Sequence, residues 1–134
     1  MGTDMLIPQL GVPVVEGELP DGWWGAYDAD THTITLLPKL AYIQWNSTLY
    51  HELGHAYYRH EGNCVKQERQ ASVWAARRLI KASDFIDANR LYHSTQEVAH
   101  YLSVMPEDVD TYISTLSPAE IVLMQQLIGK EYAC

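Results

Sequence analysis

The sequence predicts an α+β fold: a small N-terminal antiparallel sheet or hairpin packed on a pair of helices, then a C-terminal helical segment with helix-turn-helix-like spacing. Three observations carry this. Short aromatic and β-branched runs broken by turn residues fill positions 1–45. From position 46 apolar residues recur at helical spacing. A length of 134 residues at 47% hydrophobic composition is one domain's worth of chain with ample core. We therefore expect a single domain over 1–134, strand-rich over 1–45, with two central helices over 46–81 and a helical part over 82–134.

Val12–Val15 is a brief apolar run, and the Glu16–Gly22 stretch after it is rich in turn residues. Trp23–Tyr27 and Thr31–Leu37 flank Asp28-Ala29-Asp30, which is turn chemistry, so these two runs form a hairpin. Thr31, Thr33 and Thr35 alternate with His32, Ile34 and Leu36, giving one polar face, as an edge strand would have. Asn46 or Ser47 can cap a helix from Thr48 to about His60, which Gly62 and Asn63 end. A second helix runs from about Lys66 to Lys81. Shorter ones cover Asp84–Tyr92, Thr95–Ser103, Pro106–Leu116 and Ser117–Tyr132, with Pro106 and Pro118 at first-turn positions that need no N–H.

The formal charge of −8 opposes a sequence-independent grip on DNA or anionic lipid. No base precedes Lys39, seven of the nine bases lie between Arg59 and Arg90, and none occurs from Leu91 to Gly129. That last stretch holds the helix-turn-helix-like spacing: Val98, Leu102, Val104, Val109 and Tyr112, with Ala99 and Ser103 at close-packing points. Its would-be recognition helix opens with Glu107, Asp108 and Asp110, three carboxylates that phosphates would repel, so we expect no direct nucleic-acid contact. No stretch reaches the length of a membrane span, and the start has no basic n-region or apolar h-region. Leu6 stands where a myristoylation signal at Gly2 needs Ser or Thr. Cys64 and Cys134 are too few and too far apart for a disulfide framework, which suits a cytoplasmic protein with free thiols.

The sharpest feature is His51-Glu52-Leu53-Gly54-His55 on the first central helix. Four residues advance a helix by about 400° and roughly 6 Å, so both imidazoles leave one face a turn apart and can share a metal ion. Glu52 stands beside that face, too far round to be a good ligand but placed to take a proton from water, the general-base role. A catalytic zinc site wants three protein ligands and one open position. On a continuous helix His60 lies about 140° round from His55, so it could bind only if the helix broke first. A third histidine six residues beyond the second, behind a glycine, would mark a metzincin; Glu61 and Tyr58 hold those places. Glu68 is the better third ligand, because the Glu61–Val65 loop can turn the chain back and set it in the first turn of the second helix. Positions 68, 71, 72, 75 and 79 form one stripe there, with Ala71, Ser72 and Ala75 small enough for the two axes to approach. Glu61 and Cys64 are the substitutes.

These residues resemble the ImmA/IrrE family of small metallopeptidases. Ser47-Thr48-Leu49-Tyr50-His51-Glu52-Leu53-Gly54-His55 and Glu68-Arg69-Gln70-Ala71-Ser72-Val73-Trp74-Ala75-Ala76 follow its two helix patterns, and Trp24–Tyr27 with Thr33–Leu36 resemble its hairpin. Two departures are Leu79-Ile80-Lys81-Ala82, where the family usually has a proline, and Gln44-Trp45-Asn46, where bases are common. The resemblance implies a zincin-like endopeptidase that cuts a helix-turn-helix repressor, typically encoded beside it on a phage or integrative element. Its zinc would be held by His51, His55 and Glu68, with Glu52 activating the water.

On that reading Tyr57, Tyr58, Tyr92 and His93 are available to stabilise the oxyanion, and an extended substrate would dock along Thr33, Ile34 and Thr35 if theirs is an edge strand. The acidic C-terminal half would complement a basic repressor domain. The competing reading is a protein of the same shape that sequesters the repressor without cutting it.

Overall fold

The computed structural model describes residues 7, 9–62 and 64–130 and divides into two compact units, residues 1–75 and 76–134. The first holds strands β1 (Val14–Glu16), β2 (Gly25–Asp28) and β3 (Thr33–Leu36) and helix α1 (Tyr42–Tyr58). Helix α2 (Val65–Leu79) begins in it and is followed by α3 (Ala82–Leu91), α4 (Thr95–Leu102), α5 (Pro106–Ser114) and α6 (Pro118–Lys130). The α+β class therefore holds. Among the described residues no helix is long and apolar enough to cross a membrane.

The sheet order is β1-β3-β2. The expected hairpin is there, with β2 antiparallel to β3, but β1 joins β3 in parallel, so the sheet is mixed. This overturns the edge reading of Thr33, Ile34 and Thr35. Ile34 N–H donates to Pro13 C=O and Gly17 N–H donates to Leu36 C=O on one side, while Leu37 N–H donates to Trp24 C=O on the other. Both flanks of β3 are paired, so it offers no free backbone to an incoming strand. The Thr alternation reports a polar face and a buried one: Ile34 and Leu36 are buried and Thr33 and Thr35 half-buried. The edge strands are β1 and β2. Because Trp24 and Leu37 share a bonded pair, Gly25 and Tyr27 direct their backbone groups away from β3.

Helix α1 packs on both β2 and β3, with Leu49 and Leu53 fully buried at helical spacing. It starts six residues before the expected Thr48, so Asn46 and Ser47 lie inside it rather than capping it. Gln44 Oε1 instead accepts the Ala41 N–H at 3.2 Å and satisfies a donor at the helix start. Its end also comes early: Arg59, at φ 51°, takes the left-handed turn expected at Gly62.

Gly54 sets how closely α1 approaches α2. A Cβ there would lie 2.8 Å from the Ala71 carbonyl oxygen and 3.0 Å from its Cα, backbone atoms that cannot swing aside. Gly54→Ala should therefore destabilise the fold by about 1–3 kcal/mol, read as a lowered denaturation midpoint. Gly129→Ala, with nothing near its Cβ, should be neutral or slightly stabilising under the same denaturant.

In the second unit the spacing read as helix-turn-helix-like becomes core packing. Val98, Ala99, Val104, Val109 and Tyr112 are buried together with Phe85. Ser103 takes a left-handed conformation, φ 58°, between α4 and α5, and Ser94 caps α4 by accepting the Glu97 N–H at 3.1 Å. Arg77 donates to Thr115 Oγ1 at 3.1 Å, and Arg90 ties α3 to α6 by donating to the Leu127 carbonyl at 2.8 Å.

Candidate metal centre

His51 and His55 leave α1 one turn apart, their ring centroids 4.9 Å from each other. Both direct Nε2 at the carboxylate of Glu68, in the first turn of α2. His51 Nε2 lies 3.0 Å from Oε1 and His55 Nε2 lies 3.0 Å from Oε2. One ligand atom from each residue falls within 4.8 Å of the others. The close contact of Gly54 with Ala71 brings Glu68, three residues before Ala71 on the same face, within reach. Glu61 and Cys64 are exposed and stand outside this group.

The donor set suits a divalent ion. Two imidazoles and a carboxylate match the protein ligands of a catalytic zinc with one place open. Each imidazole has a protein partner at its other nitrogen: His51 Nδ1 faces Ser72 Oγ at 3.2 Å, and His55 Nδ1 faces His60 Nδ1 at 2.9 Å. That arrangement keeps both Nε2 atoms aimed at the shared space.

Glu52 is buried, 8% exposed, at the floor of a cleft of about 450 Å³ lined by Trp23, Gly25, Tyr27, Glu52, His55 and Glu68 among others. Its carboxyl accepts the backbone N–H of Tyr27, one of the outward groups of β2. Burial, reinforced by the Glu68 carboxylate, pushes the Glu52 carboxyl up to about 8, and the Tyr27 N–H works against that rise. Burial lowers His55 to about 4, helped by His51 and opposed by Glu68.

These shifts set the pH dependence of the metal-free protein. A carboxyl raised from 4.5 to about 8 on folding leaves the unfolded chain ionised first, so stability falls as pH rises through that window. His55, lowered from 6.5 to about 4, adds stability as pH rises from 4 to 6.5. Glu52→Gln leaves the His55 contribution in place. Metal-free Glu52→Gln should therefore gain stability relative to wild type from pH 4.5 to 8, checked by melting both proteins across that range. A constant difference would contradict the burial argument.

Of the side chains expected near an oxyanion, Tyr57 packs against Trp74 at 5.6 Å, Tyr58 stacks on His60 at 5.1 Å, and neither lines the cleft. Tyr92 and His93 belong to the second unit. The tyrosine at the cleft is Tyr27, whose hydroxyl is engaged by His32 Nδ1 at 2.6 Å. Sequence reasoning missed Trp23 and Tyr27 because it assigned the edge to the wrong strand, and it weighed His60 only as a ligand.

Comparison with curated proteins and with solved structures gave no match. A family model described as the IrrE N-terminal-like domain matches residues 9–114, a span that contains the sheet, both metal-centre helices and α3 to α5. By that match over most of its length, the chain belongs to the IrrE N-terminal-like, or ImmA/IrrE, family of metallopeptidases.

Proposed function

We propose that the chain is a zinc-dependent endopeptidase that cuts a helix-turn-helix transcriptional repressor in the cytoplasm. The observation that carries the reading is the convergence of His51, His55 and Glu68 beside a buried Glu52, at a cleft lined by edge-strand residues Gly25 and Tyr27. Family membership supports peptidase chemistry. The repressor rests on the family resemblance, and an acidic chain favours a basic DNA-binding protein as substrate over DNA itself.

Zinc held by His51, His55 and Glu68 would supply Lewis acidity, lowering the pKa of water towards ~7 and polarising the scissile carbonyl. Glu52 does the proton work. In its ionised form, which the positive charge of a bound ion would favour against the raised proton affinity of the metal-free site, its carboxylate takes a proton from the attacking water as oxygen bonds to the carbonyl carbon, then passes it to the amide nitrogen as the C–N bond breaks. The Tyr27 N–H holds one part of that carboxyl in place. The substrate backbone lies extended along β2, where the Gly25 backbone and the Tyr27 carbonyl turn outward while the Tyr27 N–H is held by Glu52, and not along Thr33, Ile34 and Thr35, whose flanks are occupied.

The test is to incubate purified protein with a helix-turn-helix repressor from its own genome, starting with any encoded beside it, and follow fragments by mass spectrometry. Two fragments that sum to the intact repressor are expected, abolished by a chelator and restored by added zinc. An intact repressor in the zinc-loaded reaction would refute proteolysis.

A further inference from the structure

Behind His55, on the side away from Glu68, a second histidine and an amide stand in line. His60 is buried, 8% exposed. Its Nδ1 lies 2.9 Å from His55 Nδ1, and its Nε2 lies 2.9 Å from Gln70 Oε1, on α2 two residues beyond Glu68. Arg59 makes the line possible: its left-handed turn ends α1 and returns His60 towards the helix it has just left, with His60 N–H donating to the His55 carbonyl at 3.0 Å. Tyr58 stacks flat on the His60 ring, 13° between planes, and limits its rotation.

We propose that Gln70 and His60 are positioning residues that fix the tautomer of His55 for metal binding. Gln70 Oε1 is an acceptor only, so it requires a proton on His60 Nε2. In the tautomer that carries its proton at Nε2, His60 presents Nδ1 as an acceptor, which calls for a proton on His55 Nδ1. His55 Nε2 is thereby left as the nitrogen that faces the space shared with His51 and Glu68, 3.0 Å from Glu68 Oε2, and that would bind a metal. Two hydrogen bonds thus carry an orientation set by one amide of α2 to a ligand on α1, and the same α2 supplies Glu68. Partners behind a metal-bound histidine are typically worth about 10–100-fold in metal affinity.

The inference rests on the metal reading of the site, so its test separates the two. Zinc affinity is measured by competition with a chromophoric chelator for wild type, His60→Phe, His60→Gln and Gln70→Leu, with melting of each metal-free protein as a check on folding. His60→Phe keeps a ring but no acceptor and should weaken zinc about 10–100-fold; Gln70→Leu should weaken it about tenfold; His60→Gln restores an acceptor and should recover most of the loss. In zinc-loaded wild type labelled with ¹⁵N-histidine, long-range ¹H–¹⁵N correlation should show His60 protonated at Nε2 and bare at Nδ1. Wild type that takes up no zinc would overturn both readings. Zinc bound equally by wild type, His60→Phe and Gln70→Leu, or a His60 protonated at Nδ1, would overturn the relay alone. Should His60→Phe fail to fold, Gln70→Leu and the His60 tautomer still decide.

Discussion

Replacing Glu52 with Gln should lower the rate of repressor cleavage by about 10²–10⁴-fold while leaving bound zinc unchanged. Gln matches the carboxyl in shape, and its Oε1 can still accept the Tyr27 N–H, so the buried floor of the cleft keeps its packing and its hydrogen bond. What it loses is the ability to take and return a proton. Glu52 is no part of the His51, His55 and Glu68 group, so zinc stoichiometry should stay at the wild-type value. The loss should fall on kcat and not on KM, because the proton is in motion only at the transition state. This variant also tests the sequestration reading. If wild type and Glu52→Gln silence the repressor equally and neither yields fragments, binding alone is the function and the peptidase reading is wrong.

The helices of the candidate metal centre were legible because their signal is a spacing. Two histidines four apart give the same geometry wherever an α-helix forms, and a small-residue stripe beneath Glu68 foretold the close approach that Gly54 and Ala71 make. The start of α1 was not legible. Asn46 and Ser47 are good caps in isolation, but their cost inside a helix is only about 0.5 kcal/mol each, which burial of Leu49 and Leu53 outweighs. The edge strand was misplaced for a different reason. Alternation of Thr33, Ile34, Thr35 and Leu36 says which face is buried, yet edge status depends on which strands lie alongside, and β1 arrives in parallel from well upstream. His60 shows the limit most plainly. Counting degrees along an unbroken helix placed it outside the group that His51, His55 and Glu68 form, and the condition attached to that count, a break before His60, is met at Arg59. No residue type announces that break: Arg in the left-handed region is uncommon, and Gly62 was the obvious place to expect it. The broken helix brings His60 back as a partner of His55 through Nδ1.

Glu68→Ala should abolish stoichiometric zinc at neutral pH, weakening affinity by more than about 100-fold, and with it all cleavage. The Glu68 carboxylate gives one oxygen to each histidine, 3.0 Å in both cases, and its removal leaves two imidazoles, too few protein ligands for a catalytic zinc. Its side chain is 44% exposed, so the substitution opens no cavity and the fold should survive. Cys64→Ser and Glu61→Gln, which change the two other residues that could have served as third ligand, should keep zinc and activity, since both stand exposed outside the group. Full zinc retention in Glu68→Ala, measured by metal analysis after dialysis, would return the third position to one of them. A second consequence follows from charge. The Glu68 carboxylate helps burial hold the Glu52 carboxyl high, so in metal-free Glu68→Ala the Glu52 titration should move down towards its ordinary range while staying above it. A carboxyl-labelled NMR titration of Glu52 in the two proteins reads that shift directly, and an unmoved Glu52 would mean that burial alone sets its proton affinity.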